Sequence, residues 1–512
     1  MSTISIEPTT ERSTKTLTET LRSKLSNPVT SPQFDLHGSV NEVLRDVGLT
    51  AADSGGKLSF YGQDPIIPSP HRFGAMAAVG LAARHIALAA LWRSQTGEGQ
   101  DIHVDVRKAL RRFCGFIEGK WETINGRPPA VGADRDNPFF ELPLNFRKTR
   151  DGRHVVALNI YPRLRTRALN FLRCGDSTES VSSAILQWRA DELEAAAAEA
   201  GLVIAMVRTN EEFRKEPQYT EVLSRMPLIT LEKIGDGEPM PFKRGAKSPL
   251  EGIRALGMGH VIAGAGIGRD LAYYGADVLN IWRPNDTDVE AFAWDVQVGM
   301  RSTILDGSKE DRAKFDRLLK DADVFFSNRR PGYLERYGLT AEELSQKKPG
   351  LIHAKVVLHG EQGPWSNRVG FDEIGAAVSG VFAIEGTPTQ PKAPPIIPIC
   401  DNVVAWLGTI GVLEALRRRA TEGGSYRVVV SLTRTVLWLL SMGIFDKAYA
   451  QQTAGSTDEH AYVAPDLFTA ETPLGTYQGM TDQVVLSRTP GSFRTVLDPR
   501  GSSKPEWLTS EK

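Results

Sequence analysis

The run FGAMAAVGLAARHIALAALW, Phe73 to Trp92, is apolar on every side, which predicts a helix enclosed by protein. It is long enough to span a membrane, but Arg84 and His85 stand mid-run and WRSQTGEGQ follows, so it reads as a packed core helix. A second apolar run, VLWLLSMGIF from Val436 to Phe445, is too short to span. After the first run, Gly97 and Gly99 supply a helix-ending turn and IHVDV alternates as a strand does. The same order returns far downstream. DNVVAWLGTIGVLEALRRR, from Asp401, is followed by Gly423 and Gly424 and then by YRVVV. The two copies lie too far apart for a solenoid, and the shared element order favours a duplicated half-domain.

Between the copies, TRDGRHVVALNIYPRLRTRALNFL predicts a hairpin and helix, and SSAILQWRADELEAAAAEAGLVIAMVRTNEEF an amphipathic helix and strand. This is a compact α+β region from about Asn145 to Leu228. Residues 236–249, rich in Pro, Gly and Lys, read as a linker. Beyond them strands alternate with helices, through LEGIRALGMGHVIAGAGIGRDLAYYGADVLNIWRP, AKFDRLLKDADVFFSNRRPG and GLTAEELSQKKPGLIHAKVV. That pattern predicts a parallel, Rossmann-like α/β sheet with right-handed crossovers. The turn GAGIGR, Gly264 to Arg269, lacks the last glycine of a dinucleotide fingerprint. Trp282 and Arg283 stand where its acidic residue belongs, so a phosphate suits this strand end better than a ribose hydroxyl.

Composition narrows the function. The chain has 512 residues, 61 basic against 62 acidic, 41% apolar and 24% charged. That balance is ordinary for a soluble globular protein and carries no global basic field for nucleic acid or anionic membrane, so local cations must bind any phosphate. Three scattered cysteines, Cys114, Cys174 and Cys400, fit a reducing compartment without a disulfide framework. The first 35 residues are rich in Ser and Thr and lack an apolar core. They read as a disordered segment that is not a secretory signal, and their acidic residues weaken a transit-peptide reading. The sequence carries no HExxH, paired CxxC or Walker loop that would mark a metal or ATP site.

Asp401 is the candidate for chemistry. It follows PPIIPIC and opens an apolar helix, where water is scarce and backbone N–H groups are near. Such a carboxylate suits nucleophilic use, although on position alone a helix N-cap is the more frequent role of Asp before a helix. Cys400 beside it has no nearby His in an apolar stretch and reads as a buried thiol.

The blocks from Leu250 to Phe445 carry a family resemblance. LEGIRALGMGHVIAGAGIGRDLAYYGADVLNIWRP, QVGMRSTILD, ADVFFSNRRPGYLERYGL, PGLIHAKVVLHGEQGPWSNRVGFDEIGAAVSG and the Asp401 helix resemble, in order, the class III CoA-transferases. That family includes formyl-CoA and carnitine CoA-transferases and α-methylacyl-CoA racemase. Residues 36–235 resemble its second half, with a helix, a strand and a small α+β domain, so the order is rearranged. The resulting division is 1–35 disordered segment, 36–235 second-half-like region, 236–249 linker, 250–445 large α/β domain and 446–512 C-terminal tail. In the first copy the position matching Asp401 falls near Ala75 or Met76, without a carboxylate.

The resemblance implies a CoA-transferase moving CoA from an acyl-CoA thioester to a carboxylic acid through an aspartyl-CoA intermediate on Asp401. It implies coenzyme A or acyl-CoA as substrate with no tightly bound cofactor, an interlocked homodimer, and a cytoplasmic enzyme with no nucleic-acid or membrane partner. The alternatives are a CoA-thioester isomerase or racemase, and an inactive CoA-binding homologue. By motif correspondence Ile262, Ala263, Arg283, Asn328 and Arg336 would contact CoA, with Arg329 and Arg330 as further candidates. Phe371 marks the subtype. The superfamily's racemases carry a proton-transferring His there, and Phe carries no proton. His359 reads as a structural or solvated loop residue. Departures from the family are Asn280–Ile281–Trp282, Ala265, and the lack of an obvious glycine-rich flap.

Overall fold

Strand–helix alternation beyond residue 250 does produce a parallel sheet, but strands from both ends of the chain complete the architecture. The computed structural model of the protein describes residues 10–113, 115–130 and 137–509. In the N-terminal region lie β1 (Leu58–Tyr61), β2 (Ile102–Asp105), β3 (Thr123–Ile124), β4 (Arg147–Lys148), β5 (His154–Ala157), β6 (Ile204–Met206) and β7 (Thr230–Gly235). The central region supplies β8 (Arg254–Met258), β9 (Asp277–Trp282), β10 (Arg301–Ile304), β11 (Val324–Ser327), β12 (Ile352–Val357) and β13 (Ser425–Ser431). The C-terminal region supplies β14 (Leu467–Thr472), β15 (Gly475–Met480) and β16 (Val484–Leu486).

The large sheet has the order β10-β9-β8-β11-β12-β13-β7. Its first six strands are parallel and β7 pairs antiparallel with β13. The parallel part is doubly wound, with the order reversing between β8 and β11. Buried on both faces, these strands are near-continuous apolar runs such as Val428–Val430. Three small sheets surround it, β1-β2-β16, β14-β15-β3 and β4-β5-β6, the last with the helices of the α+β region.

The two repeated segments fold alike. The Phe73–Thr96 helix leads into β2, which pairs parallel with β1 and antiparallel with β16. The Asp401–Glu422 helix leads into β13, which pairs parallel with β12 and antiparallel with β7. The two helices pack face to face. Gly80 is needed there, because a Cβ would come within 2.9 Å of the Trp406 ring. The Phe73 helix is long and apolar enough to cross a membrane, but its apolar window is wholly enclosed by the rest of the fold, as a core helix should be.

Three segment expectations need correcting. The N-terminal 35 residues are not disordered from residue 10 on. Residues Thr10–Ser26 form a helix against the Leu432–Ser441 helix, with Leu21 fully buried and the Thr18 hydroxyl 2.9 Å from that of Tyr219. Residues 1–9 lie outside the described residues. Its apolar positions are sparse, so burial comes from the partner helix rather than from its own composition. Residues 236–249 hold no helix or strand, as a connection would. Yet β7 and β8 on either side belong to one sheet, so no domain boundary falls there.

Nor is 446–512 a leftover tail. β16 pairs with β2, and Asp482 enters a wholly buried ionic network. Arg84 of the Phe73 helix binds Asp270 and Asp482, Arg269 reaches Asp482 at 2.8 Å, and the Thr409 hydroxyl donates to Asp270 at 3.1 Å. Burial opposes ionisation of Asp482, but Arg84 and Arg269 outweigh it and hold its carboxyl below the usual range. Among the described cysteines Cys174 and Cys400 are free thiols, and Cys114 lies outside the described residues. Removing one partner of such a network leaves uncompensated buried charge. Asp482→Ala is therefore expected to destabilise the protein by about 3–5 kcal/mol in urea unfolding. A loss below about 1 kcal/mol would show that the C-terminal segment is peripheral.

Candidate active site

In a doubly wound sheet, ligands bind beyond the carboxyl ends of the strands where the order reverses. Here β8 ends into a turn clamped by two amides. Asn280 accepts from the Gly259 N–H at 3.0 Å and donates to the Gly259 carbonyl at 2.9 Å. Asn328 does the same for His260, at 2.9 Å in each direction. Gly264 makes room for this clamp, since a Cβ there would lie 2.3 Å from the Asn328 amide carbon. The next residue, Val261, sits at φ 56°, a region costly for a β-branched side chain. Its N–H is held by Asp288 at 3.2 Å, and Asp288 also accepts the Tyr161 hydroxyl at 3.1 Å. Burial pushes the Asp288 carboxyl up to about 6 despite those donors.

Above the turn opens a cleft of about 1170 Å³, walled by the segments that follow β8, β9, β10, β11, β12 and β13. Its seven Arg and Lys side chains outnumber its five carboxylates, which makes it a local cationic site in a nearly neutral chain. Arg283 and Arg329 both hold Asp286, at 2.6 and 3.0 Å, and both guanidinium groups lie beside the Tyr333 ring. Arg330 has no carboxylate partner among the described residues. Desolvation, then Arg167 and Arg283, lower its affinity for the proton, as expected where cations gather without an anion.

Asp401 stands where this cleft meets a second, apolar cavity of about 50 Å³, and it lines both. The turn before it is organised by Asp372, whose Oδ2 accepts from Ile399 and Cys400 at 2.6 Å and from Asp401 at 3.1 Å. Asp372 therefore does the capping, and the Asp401 side chain, 6% exposed, is not spent on the helix N-terminus. Burial, and then the neighbouring Asp372 charge, push the Asp401 carboxyl well above its ordinary range. Burial followed by Asp372 and Asp401 does the same to Glu373. Three carboxyl groups crowd one dry corner, so their protons are shared rather than independent. Deprotonated Asp401 would be a weakly solvated carboxylate, basic and nucleophilic.

Most of the expected residues converge here. Ala263, Arg283, Asn328 and Phe371 line the cleft, Ile262 lines the apolar cavity, and Phe371 lines both. Asn328 shapes the site through the His260 backbone, its amide being engaged there. Arg336 is a correction. It is exposed on the Tyr333–Tyr337 helix and is not among the residues lining the cleft, because that helix turns its basic residue to solvent. His359 is buried in the fold, with Nδ1 2.8 Å from the Thr433 hydroxyl and its ring against Trp365. Burial holds it neutral, in keeping with a structural part. Burial also pushes the Cys400 thiol up, as a structural thiol requires. Asp372 and Glu373 were passed over in VGFDE, where attention fell on Phe371. Arg163, Arg167, Lys355 and Arg368 were missed because the cleft is assembled from segments far apart in sequence.

The fold is thus a Rossmann-type sheet with a cationic cleft at its switch point and a buried carboxyl where that cleft meets an apolar cavity. Residues 250–486, just under half of the chain, match the family model described as CoA-transferase family III. An acetyl-coenzyme A transferase of Hypoxylon pulicicidum is 33% identical over 229 residues, covering 43% of this chain and 36% of that protein. A succinyl-CoA–L-malate CoA-transferase alpha subunit of Chloroflexus aurantiacus is 29% identical over 287 residues, covering 49% of this chain and 63% of its own. This chain thus spans between about a third and two thirds of these curated relatives. A CAIB/BAIF family protein from Brucella suis, of solved structure, is 25% identical with a TM-score of 0.35 over 38% of this chain and 56% of that one.

The crowding of carboxyls has a checkable consequence. In Asp372→Asn the negative neighbour is gone, so the midpoint for carbodiimide modification of Asp401, followed by peptide mass spectrometry, is expected to move to lower pH. Weaker acceptance of the three N–H groups should cost about 1–3 kcal/mol of stability. An unmoved midpoint would mean that Asp372 does not set the Asp401 proton affinity.

Proposed function

We propose that the protein transfers CoA from an acyl-CoA thioester to a carboxylic acid, with Asp401 as the covalent nucleophile. The observation that carries this is the position of Asp401, between a cationic cleft sized for a nucleotide thioester and an apolar cavity fit for an acyl group. The match of residues 250–486 to the family model and the CoA-transferase names of the relatives support the same reading.

An Asp401 carboxylate oxygen attacks the thioester carbonyl, the C–S bond breaks, and CoA leaves as the thiolate from a mixed anhydride. The thiolate attacks the aspartyl carbonyl, the anhydride C–O bond breaks, and the donor acid departs as its carboxylate, leaving an aspartyl-CoA thioester. The acceptor carboxylate then attacks that thioester, and the released thiolate attacks the acceptor's carbonyl in the new anhydride. This yields the acceptor's CoA ester and restores Asp401. Protons and charge balance without a metal or a nucleotide triphosphate. The protein's part is to hold the carbonyl against Asp401 and to keep out water, which would hydrolyse each intermediate. Arg283, Arg329 and Arg330, which line the cleft beyond the strand ends, would meet the CoA phosphates. Phe371 in place of a proton-carrying side chain disfavours a two-base racemase. A cytoplasmic homodimer using CoA and small acids alone completes the proposal.

With an acyl-CoA and hydroxylamine, peptide mapping should find a hydroxamate on Asp401 in the native protein and none in Asp401→Asn. CoA binding without any Asp401 adduct would instead identify an inactive homologue. Because Asp401 must be ionised, and burial holds its affinity for the proton high, adduct formation should slow as pH falls. Arg330→Ala is expected to raise KM for the thioester several-fold with a smaller effect on kcat, since a phosphate contact is felt alike in ground and transition states.

A further inference from the structure

We infer, resting on the transfer reading above, that the acid carried by Asp401 has a short, uncharged, apolar chain, and that acids bearing a second carboxylate are excluded. The apolar cavity beside Asp401 is walled by Phe140, Leu144, Leu158, Ile160, Phe292 and Ile397. Val261 and Ile262 separate it from the cationic cleft, so a chain entering from Asp401 leaves the arginines behind. No cation lines it among the described residues, and its only other charged-type side chains are Glu141 and Glu373. The Arg147 guanidinium that meets Glu141 at 3.1 Å is also engaged by the Pro138 carbonyl and does not line the cavity. A terminal carboxylate would therefore lie in an apolar cavity beside two acids, with no cation among the described lining residues, which is disfavoured. A methyl or methylene chain loses only water. By the roughly 10–15 Å³ that one buried water needs, a 50 Å³ cavity holds on the order of four heavy atoms, which suits a butyryl-sized group.

Binding separates this inference from the transfer reading. Acetyl-CoA, butyryl-CoA and succinyl-CoA would be titrated calorimetrically into Asp401→Asn, where no acyl transfer can consume them. Each buried methylene contributes about fourfold in affinity, so butyryl-CoA is expected to bind roughly fifteenfold tighter than acetyl-CoA, and succinyl-CoA more weakly than either. Leu142→Arg places a cation at the cavity wall on a side chain that is 46% exposed in the native fold, and it should narrow or reverse the preference for butyryl-CoA over succinyl-CoA. Succinyl-CoA binding as tightly as butyryl-CoA, or none of the three binding, would overturn the inference. A clear butyryl preference without hydroxamate on Asp401 in the native protein would sink the transfer reading and leave the cavity assignment standing.

Discussion

The contact between the Phe73 and Asp401 helices is the constraint from which the rest of the structure follows. Both are apolar on nearly every face, so neither can border water, and each covers the other. Glycine at Gly80 and Trp406 opposite it set how closely they approach. The Arg84–Asp270–Asp482–Arg269 network then ties the N-terminal helix, the first sheet helix and the C-terminal segment into one body. Ion pairs this deep add little net stability but tolerate few alternative arrangements, since any misplacement leaves a bare buried charge.

That enclosure also makes the chemistry possible. A carboxyl at a helix start would ordinarily cap its own helix and stay solvated. Here Asp372 performs the capping from another segment, which leaves the Asp401 carboxyl directed to the junction of two cavities. The cost is three acidic groups in a dry corner, where burial and mutual repulsion raise the affinity of Asp401 and Glu373 for the proton. Recruiting a cation to that corner would stabilise the resting carboxylate and weaken it as a nucleophile. The arginines instead sit across Val261, on the side of the cationic cleft.

Much of this was legible in the chain. Alternating strands and helices announced a parallel sheet, the repeated helix–turn–strand unit announced two similar substructures, and Asp401, Ile262, Ala263, Arg283, Asn328 and Phe371 were placed at the site. Arg336 was misplaced because a basic residue on a short helix carries no sequence mark of the side it faces. The N-terminal helix and the C-terminal strands were misjudged because their burial is lent by distant partners. Thr18 meets Tyr219, and β16 meets β2.

The sequence by itself determined the local elements and the family resemblance of residues 250–445, because period, turn chemistry and motif order are properties of neighbouring residues. Only the tertiary structure decided which side chains share a cavity. The pairing of Asp372 with the Asp401 turn, the Arg167 and Arg330 walls of one cleft, and the cation-free apolar chamber beside it each join segments that are far apart in the chain. Long-range packing brings such groups together, and their burial and charge then act on one another, which no local pattern records.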